Sequence, residues 1–279
     1  MIPQAEIISW RNIAPWAGFD QVEHDLVLSR AICELYKNPL ISERLVFRGG
    51  TALHKLFFER AGRFSEDLDF VQIKAEPIGE TVTAIRHCLD HWLGKPTWRQ
   101  NQGRFILNYR FTTELEPIIS RKVKIEINTR EHFAVQPHIK KTFRVYNRWF
   151  NGETTVLTYA IEELLATKLR ALYQRKKGRD LYDFWYVTHQ IADLNIQKII
   201  DVFRHYMADE NTRISRAEFE KNLSLKRKSS VFNNDIRPLL SLDQVKQYKI
   251  EKAYDIVFQD FLPKLTGTPW KELDLISTP

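Results

Sequence analysis

The segment LVFRGGTALHKLFFERAGRFSEDLDFV, residues 45–71, decides the fold of this chain. A short apolar run, Leu45–Arg48, ends at two glycines and predicts a strand. From Thr51 onward, apolar residues recur at helical spacing and predict a helix. A turn at Gly62 then leads into a second predicted strand, Phe64–Phe70. The segment therefore predicts the order strand, glycine pair, helix, strand.

The second predicted strand carries two carboxylates on one face. Because side chains alternate between the faces of a strand, Ser65, Asp67 and Asp69 share one face, while Leu68 and Phe70 point to the core. Two carboxylates this close repel each other unless a cation lies between them. Mg²⁺ takes oxygen ligands and commonly joins one or two carboxylates to substrate phosphates. The pair therefore predicts a Mg²⁺ site, with Mn²⁺ as an alternative ion.

The glycine pair adds a candidate phosphate site. Gly49 and Gly50 lack a Cβ atom, so a ligand can approach the backbone closely there. The helix that follows presents unpaired N–H groups and its positive dipole end. Alone, a glycine pair is usually a turn device and an Asp-x-Asp motif is usually a solvated strand edge. Their combination in this order indicates a phosphate-and-metal site.

Two motifs carry a resemblance to a known family. Arg48-Gly-Gly-Thr-Ala-Leu53 and Arg63-Phe-Ser-Glu-Asp-Leu-Asp-Phe70 resemble the AbiEii/AbiGii group of nucleotidyltransferase-like toxins, which includes the MenT toxins. That group belongs to the DNA polymerase β-type nucleotidyltransferase superfamily. The similarity continues through Lys168 and Arg179-Asp-Leu-Tyr-Asp183. It implies an α/β (α+β) fold: a nucleotidyltransferase core with a mixed sheet and flanking helices, followed by a C-terminal helical domain.

The resemblance also implies an activity. The expected reaction transfers a nucleotidyl group from an NTP to an RNA acceptor, the 3′ end of tRNA in the first instance. The expected role is a bacterial growth-arrest toxin of the abortive-infection type, held in check by a cognate antitoxin protein. Two alternatives stay open: a nucleotidyltransferase that modifies a small molecule, and a non-catalytic member that binds nucleic acid or a partner protein.

The positions matching the family's phosphate-binding block form one group. By this resemblance the expected nucleotide-binding residues are Arg48, Gly49, Gly50, Thr51 and Ser65.

A lysine interrupts an apolar helical stripe further along the chain. The predicted helix Tyr159–Tyr173 has apolar residues at helical spacing, and Lys168 occupies the missing position of that stripe. The bland interpretation is a lysine whose ammonium reaches solvent from the edge of the stripe. In the family, a lysine of this block contacts the nucleotide phosphates. A desolvated ammonium needs an anionic partner, so we favour the phosphate role.

Two aspartates open the next helix. Asp180 and Asp183 lie one helical turn apart, and acidic residues in a first turn are also favoured by the helix dipole. The resemblance implies that one of them belongs to the active site. Asp183 lies beside Phe184 and Val187 and is the preferred candidate, with Asp180 then orienting Lys168 or a neighbour.

Glu126 is the candidate third carboxylate. It lies on the polar face of the predicted strand Lys122–Asn128, where the superfamily often carries an acid that holds a second metal ion or acts as base. An ordinary surface pair with the neighbouring lysines explains the same pattern. Both interpretations remain open at this stage.

Bulk composition favours a globular protein with an anionic partner. The 279 residues include 43% hydrophobic and 12% aromatic side chains, and the net charge is +7. The basic and aromatic stretch 130–148 would suit an RNA backbone, although a solvated strand face explains it equally. Cys33 and Cys88 have neither metal-ligand spacing nor a disulfide pattern.

The sequence also predicts location and domain division. The N-terminus lacks a signal-peptide pattern, and no apolar run approaches the ~18 residues of a membrane span. We therefore expect a cytoplasmic protein without a membrane partner. Asn151-Gly152 marks a boundary, and Thr158 is a candidate N-cap for the helix that follows. The predicted domains are a catalytic domain, 1–155, and a helical domain, 156–279, that contributes Lys168 and Asp180 or Asp183 to the site.

Overall fold

The chain forms two compact units. The computed structural model describes residues 2–271. Unit 1 runs through Leu164 and also includes Pro238–Gln247, whereas unit 2 comprises Leu165–Arg237 and the chain from Tyr248 on. The first unit extends beyond the predicted boundary at residue 155 because the segment 151–158 is a strand of its sheet. Residues 272–279, the end of the predicted helical domain, lie outside the described residues.

Unit 1 combines helices with a seven-stranded sheet. Its first helices and strands, in chain order, are α1 (Gln4–Trp10), α2 (Phe19–Lys37), α3 (Pro39–Arg44), β1 (Leu45–Arg48), α4 (Gly49–Leu56), β2 (Asp67–Gln72) and α5 (Gly79–Leu93). The remaining strands are β3 (Thr97–Asn101), β4 (Arg104–Thr112), β5 (Ser120–Asn128), β6 (Ile139–Tyr146) and β7 (Asn151–Thr158).

The sheet is mixed, as predicted. Its strand order is β3-β4-β5-β2-β1-β7-β6. Strand β2 pairs in parallel with β5, and β1 pairs in parallel with β7, while the other neighbours are antiparallel. The parallel pairs bring together segments that are far apart in the sequence. The α/β prediction with a mixed-sheet core is confirmed.

One face of the sheet forms the core with the flanking helices. Helices α2, α4 and α5 contact its strands. The side chains that alternate toward this face, including Leu68, Phe70 and Ile125, are fully or almost fully buried. The other face carries the polar residues of β2, β4 and β5. Burial of the apolar face therefore fixes which residues the polar face can present.

Two local predictions within unit 1 are wrong. Strand β2 begins at Asp67 rather than Phe64, because its pairing with β5 starts at Asp67, opposite Lys124, and its pairing with β1 starts only at Asp69. Thr158 is not a helix N-cap. It is the last residue of β7, pairs with Phe47, and donates its hydroxyl hydrogen to the Phe47 carbonyl at 2.7 Å.

Unit 2 is helical throughout its described residues, which confirms the predicted helical C-terminal part. After α6 (Ile161–Gln174), which begins in unit 1, come α7 (Gly178–Gln190), α8 (Ile196–Asp209), α9 (Arg216–Arg227) and α10 (Ser230–Asn234). Helix α11 (Leu242–Gln247) belongs to unit 1 and α12 (Ile250–Ile256) to unit 2. Short 3₁₀ or π segments span Arg237–Leu239, Val257–Phe261 and Leu262–Lys264. In residues 2–271, no helix has the length and apolarity needed for a bilayer crossing.

A buried tyrosine ties α2 to two strands of the sheet. The Tyr36 hydroxyl lies 3.1 Å from the carbonyl oxygens of both Leu45 and Leu157. Its ring is 4% exposed. The one hydrogen of this hydroxyl is shared between the two carbonyl oxygens. Removal of the Tyr36 hydroxyl therefore takes a hydrogen-bond donor away from both of them.

We predict that Tyr36→Phe lowers the free energy of unfolding by about 1–2 kcal/mol. Urea unfolding followed by circular dichroism measures this difference. The matched control is Tyr146→Phe in β6, because Tyr146 is 65% exposed and its hydroxyl reaches water. Equal unfolding midpoints for the two variants would contradict the assigned role of Tyr36.

Candidate active site

Strand pairing places three carboxylates and one lysine together on the polar face of unit 1. In the parallel pair of β2 and β5, Asp69 is opposite Glu126 and Asp67 is opposite Lys124. The Lys124 ammonium lies 2.6 Å from a Glu126 oxygen and 3.7 Å from an Asp67 oxygen. Glu126 therefore lies beside the predicted acidic pair and also forms the lysine ion pair that was its alternative interpretation.

Charge compensation differs among these carboxylates. Burial and the neighbouring Asp67 charge raise the pKa of Asp69, against the opposing effect of Arg48. Burial alone would raise the pKa of Glu126, but its hydrogen bond and charge interaction with Lys124 lower it. Burial would likewise lower the pKa of Lys124, yet Glu126 and Asp67 raise it. Of Asp69 and Glu126, Asp69 is therefore the carboxyl whose charged form this environment disfavours.

The donor atoms suit a hard divalent cation. Among residues 2–271, no group of three or more His, Cys, Asp or Glu side chains has an arrangement that could hold a metal by itself. Asp67 and Asp69 supply carboxylate oxygens from one strand face. Mg²⁺ is typically bound by one or two carboxylates together with phosphate and water oxygens. The residues present fit such an ion when a phosphate ligand completes its coordination.

Gly49 joins the acidic pair to the start of helix α4. Its φ of +81° lies in the left-handed region, which side chains rarely adopt. A Cβ atom at this position would also collide with the Asp69 carboxylate. No side chain of the preceding residue caps the α4 N-terminus. The absence of a side chain thus lets the Asp69 carboxylate lie against the beginning of a helix suited to phosphate.

Three other residues predicted to bind nucleotide also make close contacts within the protein. A Cβ atom at Gly50 would strike the guanidinium of Arg63, so protein atoms occupy the space that the sequence assigned to a ligand. Buried Thr51 donates its hydroxyl hydrogen to the Asp67 carbonyl at 2.5 Å, and its oxygen lies 2.8 Å from the Ser65 hydroxyl. Ser65 precedes strand β2 rather than lying within it, contrary to the predicted strand Phe64–Phe70. Thr51 therefore fixes the start of β2.

Arg48 lies opposite Asp69 in the antiparallel pair of β1 and β2. Its guanidinium forms an ion pair with Glu131 at 2.8 Å, and its side chain is 20% exposed. Burial works to lower the pKa of Arg48, but Glu131 outweighs it and the pKa is raised. Arg48 therefore brings a permanent positive charge close to Asp69 and Glu126, while Glu131 balances much of it.

The predicted residues of unit 2 form their own buried charge cluster. The Lys168 ammonium lies 2.9 Å from Asp183 and 3.3 Å from Asp180. Arg175 makes two hydrogen bonds to Asp180, at 2.7 and 2.8 Å. Burial would raise the pKa of Asp180, but Lys168 and Arg175 lower it. Both aspartates are fully buried, so burial does not distinguish Asp183 from Asp180.

The structure thus brings the predicted residues into two groups. In unit 1 it gathers the glycines, the acidic pair, Glu126 and Arg48; in unit 2 it gathers Lys168 with both aspartates. The action of Lys168 on nucleotide phosphates stays a prediction.

Sequence reasoning missed Lys124, Glu131 and Arg175, which balance these charges, and Arg63, which packs against Gly50. Alternation along β5 put Lys124 on the same face as Glu126, so a signal for that residue was present. The other three act through contacts made in the folded chain, which local pattern does not show.

Comparisons with known proteins show which family and which solved structures this chain resembles. The model of the AbiEii nucleotidyltransferase toxin family, of type IV toxin–antitoxin systems, matches residues 30–260. The structure resembles MenT4, a nucleotidyltransferase toxin from Mycobacterium tuberculosis H37Rv, with a TM-score of 0.68 and 21% identity, over 95% of this chain and 91% of that one. JHP933 from Helicobacter pylori matches with a TM-score of 0.53 and 17% identity, over 86% and 89% of the two chains. No curated protein sequence matches this chain.

The structural matches, at these low identities, establish the shared fold. The family model covers most of the chain, including the glycine pair, the acidic pair and the block from Lys168 to Asp183. This protein therefore belongs to the AbiEii family of nucleotidyltransferase toxins of type IV toxin–antitoxin systems.

Proposed function

We propose that this protein is a Mg²⁺-dependent enzyme that transfers a nucleotide from an NTP to the 3′ hydroxyl of an RNA, with the 3′ end of tRNA as the preferred acceptor. One observation carries the proposal: the Asp69 carboxylate lies against Gly49, where helix α4 begins. Candidate metal ligands and a helix N-terminus suited to phosphate are therefore immediate neighbours.

The acidic pair defines where the reaction takes place. With Asp67 and Asp69 as ligands, Mg²⁺ would neutralise the triphosphate and align it for in-line attack. The acceptor hydroxyl loses its proton to solvent water while its oxygen forms the new bond to the α-phosphorus, the bond from that phosphorus to the β,γ-phosphates breaks, and pyrophosphate leaves. Gly49 and Gly50 place the amides of α4 next to the phosphates.

Glu126 serves as an electrostatic residue rather than as the base in this proposal. A good general base has a pKa near the working pH. The lowered pKa of Glu126 and its 2.6 Å ion pair with Lys124 make it a weak base. Its charge instead fixes Lys124 beside Asp67 and is available to a second metal ion.

Lys168 supplies positive charge to the phosphates in the proposed reaction, as in the family block it matches. Asp180, which Arg175 also holds, orients it, and Asp183 is the preferred catalytic candidate of unit 2. Removal of Lys168 would leave two buried carboxylates and cost roughly 3–5 kcal/mol of stability. Lys168→Arg, assayed for transfer alongside its folded stability, is therefore the informative variant.

The family relationship also directs the biological role that we propose. The net charge of +7 supports a polyanionic acceptor such as RNA. Transfer to tRNA 3′ ends would stop translation in the cytoplasm, where NTPs and tRNA occur together, and a cognate antitoxin protein would prevent it.

A transfer assay tests this function. We predict that the protein, incubated with Mg²⁺, each labelled NTP in turn and total RNA, places label in RNA of tRNA size. Label in a small product would favour the small-molecule alternative, and no labelled product would favour a non-catalytic member. Either result would contradict the proposal.

Asp67→Asn should abolish transfer while leaving the protein folded. Loss of one metal ligand removes several kcal/mol of transition-state stabilisation, so we expect kcat to fall by at least about 100-fold. The matched control is Glu66→Gln, because Glu66 is the adjacent residue and its side chain is 42% exposed. Initial rates with labelled NTP measure both variants. Equal transfer rates for Asp67→Asn and Glu66→Gln would show that Asp67 is not a metal ligand of the reaction.

Asp69→Asn should raise stability at neutral pH although it removes activity. A carboxyl whose pKa is raised in the folded state penalises folding increasingly as pH rises from its unfolded-state pKa through its folded-state pKa, so the penalty is larger at pH 7 than near pH 4. We therefore expect a higher Tm for Asp69→Asn at pH 7 and a smaller gain near pH 4. A gain of 1 kcal/mol corresponds to about 2–4 °C in a protein of this size.

Thermal melts with and without Mg²⁺ complete this test. Mg²⁺ should raise the Tm of the unmodified protein and leave Asp69→Asn unchanged, because only the former binds the ion in its native state. A lower Tm for Asp69→Asn at pH 7 in the absence of Mg²⁺ would show that the Asp69 charge is compensated.

A further inference from the structure

Three exposed cations extend across the polar face of the sheet, away from the acidic pair. They are Arg99 on β3, Arg110 on β4 and Lys122 on β5, here called the basic stripe. Strand register puts all three on the face that carries Asp67 and Asp69: Arg99 is opposite Ile106, Ile106 is opposite Glu126, and Arg110 is opposite Lys122.

The stripe contains two like charges in direct opposition. Residues opposite each other in an antiparallel pair have Cβ atoms about 4.5–5.5 Å apart, and like charges there destabilise the sheet. Arg110 and Lys122 form such a pair. An arrangement that costs stability without a structural gain points to a ligand.

Neighbouring cations on the same face are neutralised, which sets the stripe apart. Lys124 contacts Asp67 and Glu126, and Arg104 contacts Glu126 at 3.4 Å. No ion pair is found for any of the three stripe residues within residues 2–271. Their charge is therefore available to an external anion.

The size of the stripe indicates a polymer rather than the NTP. Two residues along a strand span about 6.6–6.8 Å, so Arg110 and Lys122 lie one such step beyond the Asp67–Lys124 pair. Arg99 lies three strand spacings, about 14 Å, from Asp69. A single triphosphate bound at the start of α4 does not reach Arg110 and Lys122 along the strands and also Arg99 across them. The backbone of a nucleic acid presents phosphates over both distances.

We propose that the basic stripe binds the sugar-phosphate backbone of the RNA acceptor next to its 3′ end and directs that end toward Asp67 and Asp69. The inference rests on the proposed function and names the surface that receives its RNA. Contacts to phosphate alone fix register and orientation without reading sequence. Specificity for the acceptor then comes from the shape of its 3′ end.

The surroundings of the stripe favour RNA over an acidic protein. The exposed and half-exposed residues that share this face with it are polar, namely Thr97, Asn108, Thr112 and Ser120, while the one apolar neighbour, Ile106, is buried. Protein interfaces normally have an apolar core, often with aromatic anchors. A polar, cationic face without such an anchor suits phosphate groups.

The test compares two charge-reversal variants of the full chain. Arg110→Glu/Lys122→Glu alters the stripe. Lys74→Glu/Arg148→Glu makes the same change in net charge at two exposed cations that follow β2 and β6, at the end of the sheet remote from Asp69. Fluorescence anisotropy measures the Kd for a labelled RNA hairpin with a single-stranded 3′ end, over a range of salt concentrations.

We expect the stripe variant to bind RNA at least about tenfold more weakly than the control variant. Its slope of log K against log salt should fall by about 1.4, for two lost contacts at about 0.7 each. The Tm increase given by Mg²⁺ with a non-hydrolysable NTP should remain. If charge reversal disturbs folding, Arg110→Gln/Lys122→Gln replaces it, with a smaller loss of affinity and the same change of slope.

Equal RNA affinity for the stripe and control variants would overturn the proposal, and so would the absence of RNA binding by the unmodified protein at low salt. The first result would leave an acidic protein as the partner of this face. Failure of nucleotide transfer is a separate result: a protein that binds RNA through the stripe but transfers nothing would refute the proposed function and not this surface.

Discussion

The parallel pairing of β2 with β5 is the constraint on which the rest of this site depends. It sets Asp69 beside Glu126 and Asp67 beside Lys124, so one register determines four charged neighbours. A shift by one residue would turn each of these side chains to the other face of the sheet. The buried apolar face of the same strands prevents that shift, because Leu68, Phe70 and Ile125 would become exposed. The core therefore fixes the geometry of the polar face.

The charge cluster of unit 1 and the charge cluster of unit 2 shift the pKa of a buried aspartate in opposite directions. In unit 2, two buried aspartates face Lys168 and Arg175, and the opposite charges are matched. In unit 1, burial and the neighbouring Asp67 charge outweigh Arg48, and the pKa of Asp69 is raised, whereas the pKa of Asp180 in unit 2 is lowered. Opposite charges in a structural ion pair favour the charged form of a carboxyl, whereas a buried carboxyl with a raised pKa is typical of a functional site.

Much of the fold was predictable because its signals are local. Hydrophobic periodicity predicted β1, α4 and most of β5, and alternation along β2 and β5 put each acidic side chain on its correct face. The same local signals misplaced two boundaries. The start of β2 is set by pairing with β5 and the end of β7 by pairing with β1, and pairing partners far apart in the sequence leave no local pattern.

The candidate site was predictable in residue type but less so in residue role. The glycines were expected to make room for a ligand, whereas Gly49 makes room for Asp69 and Gly50 for Arg63. Thr51 holds the start of β2 through the Asp67 carbonyl. Such roles depend on which side chain packs against which backbone, and that information exists only in the folded chain. The sequence motif therefore predicts where the site lies, and the packing of the folded chain shows what each of its residues contacts.

The most direct test of the central claim is a crystal structure with Mn²⁺ and a non-hydrolysable NTP, using the anomalous signal of the metal. The account predicts an anomalous peak about 2.1 Å from carboxylate oxygens of both Asp67 and Asp69, with the triphosphate at the start of α4. A metal peak remote from these two carboxylates, or a triphosphate bound away from Gly49, would contradict it.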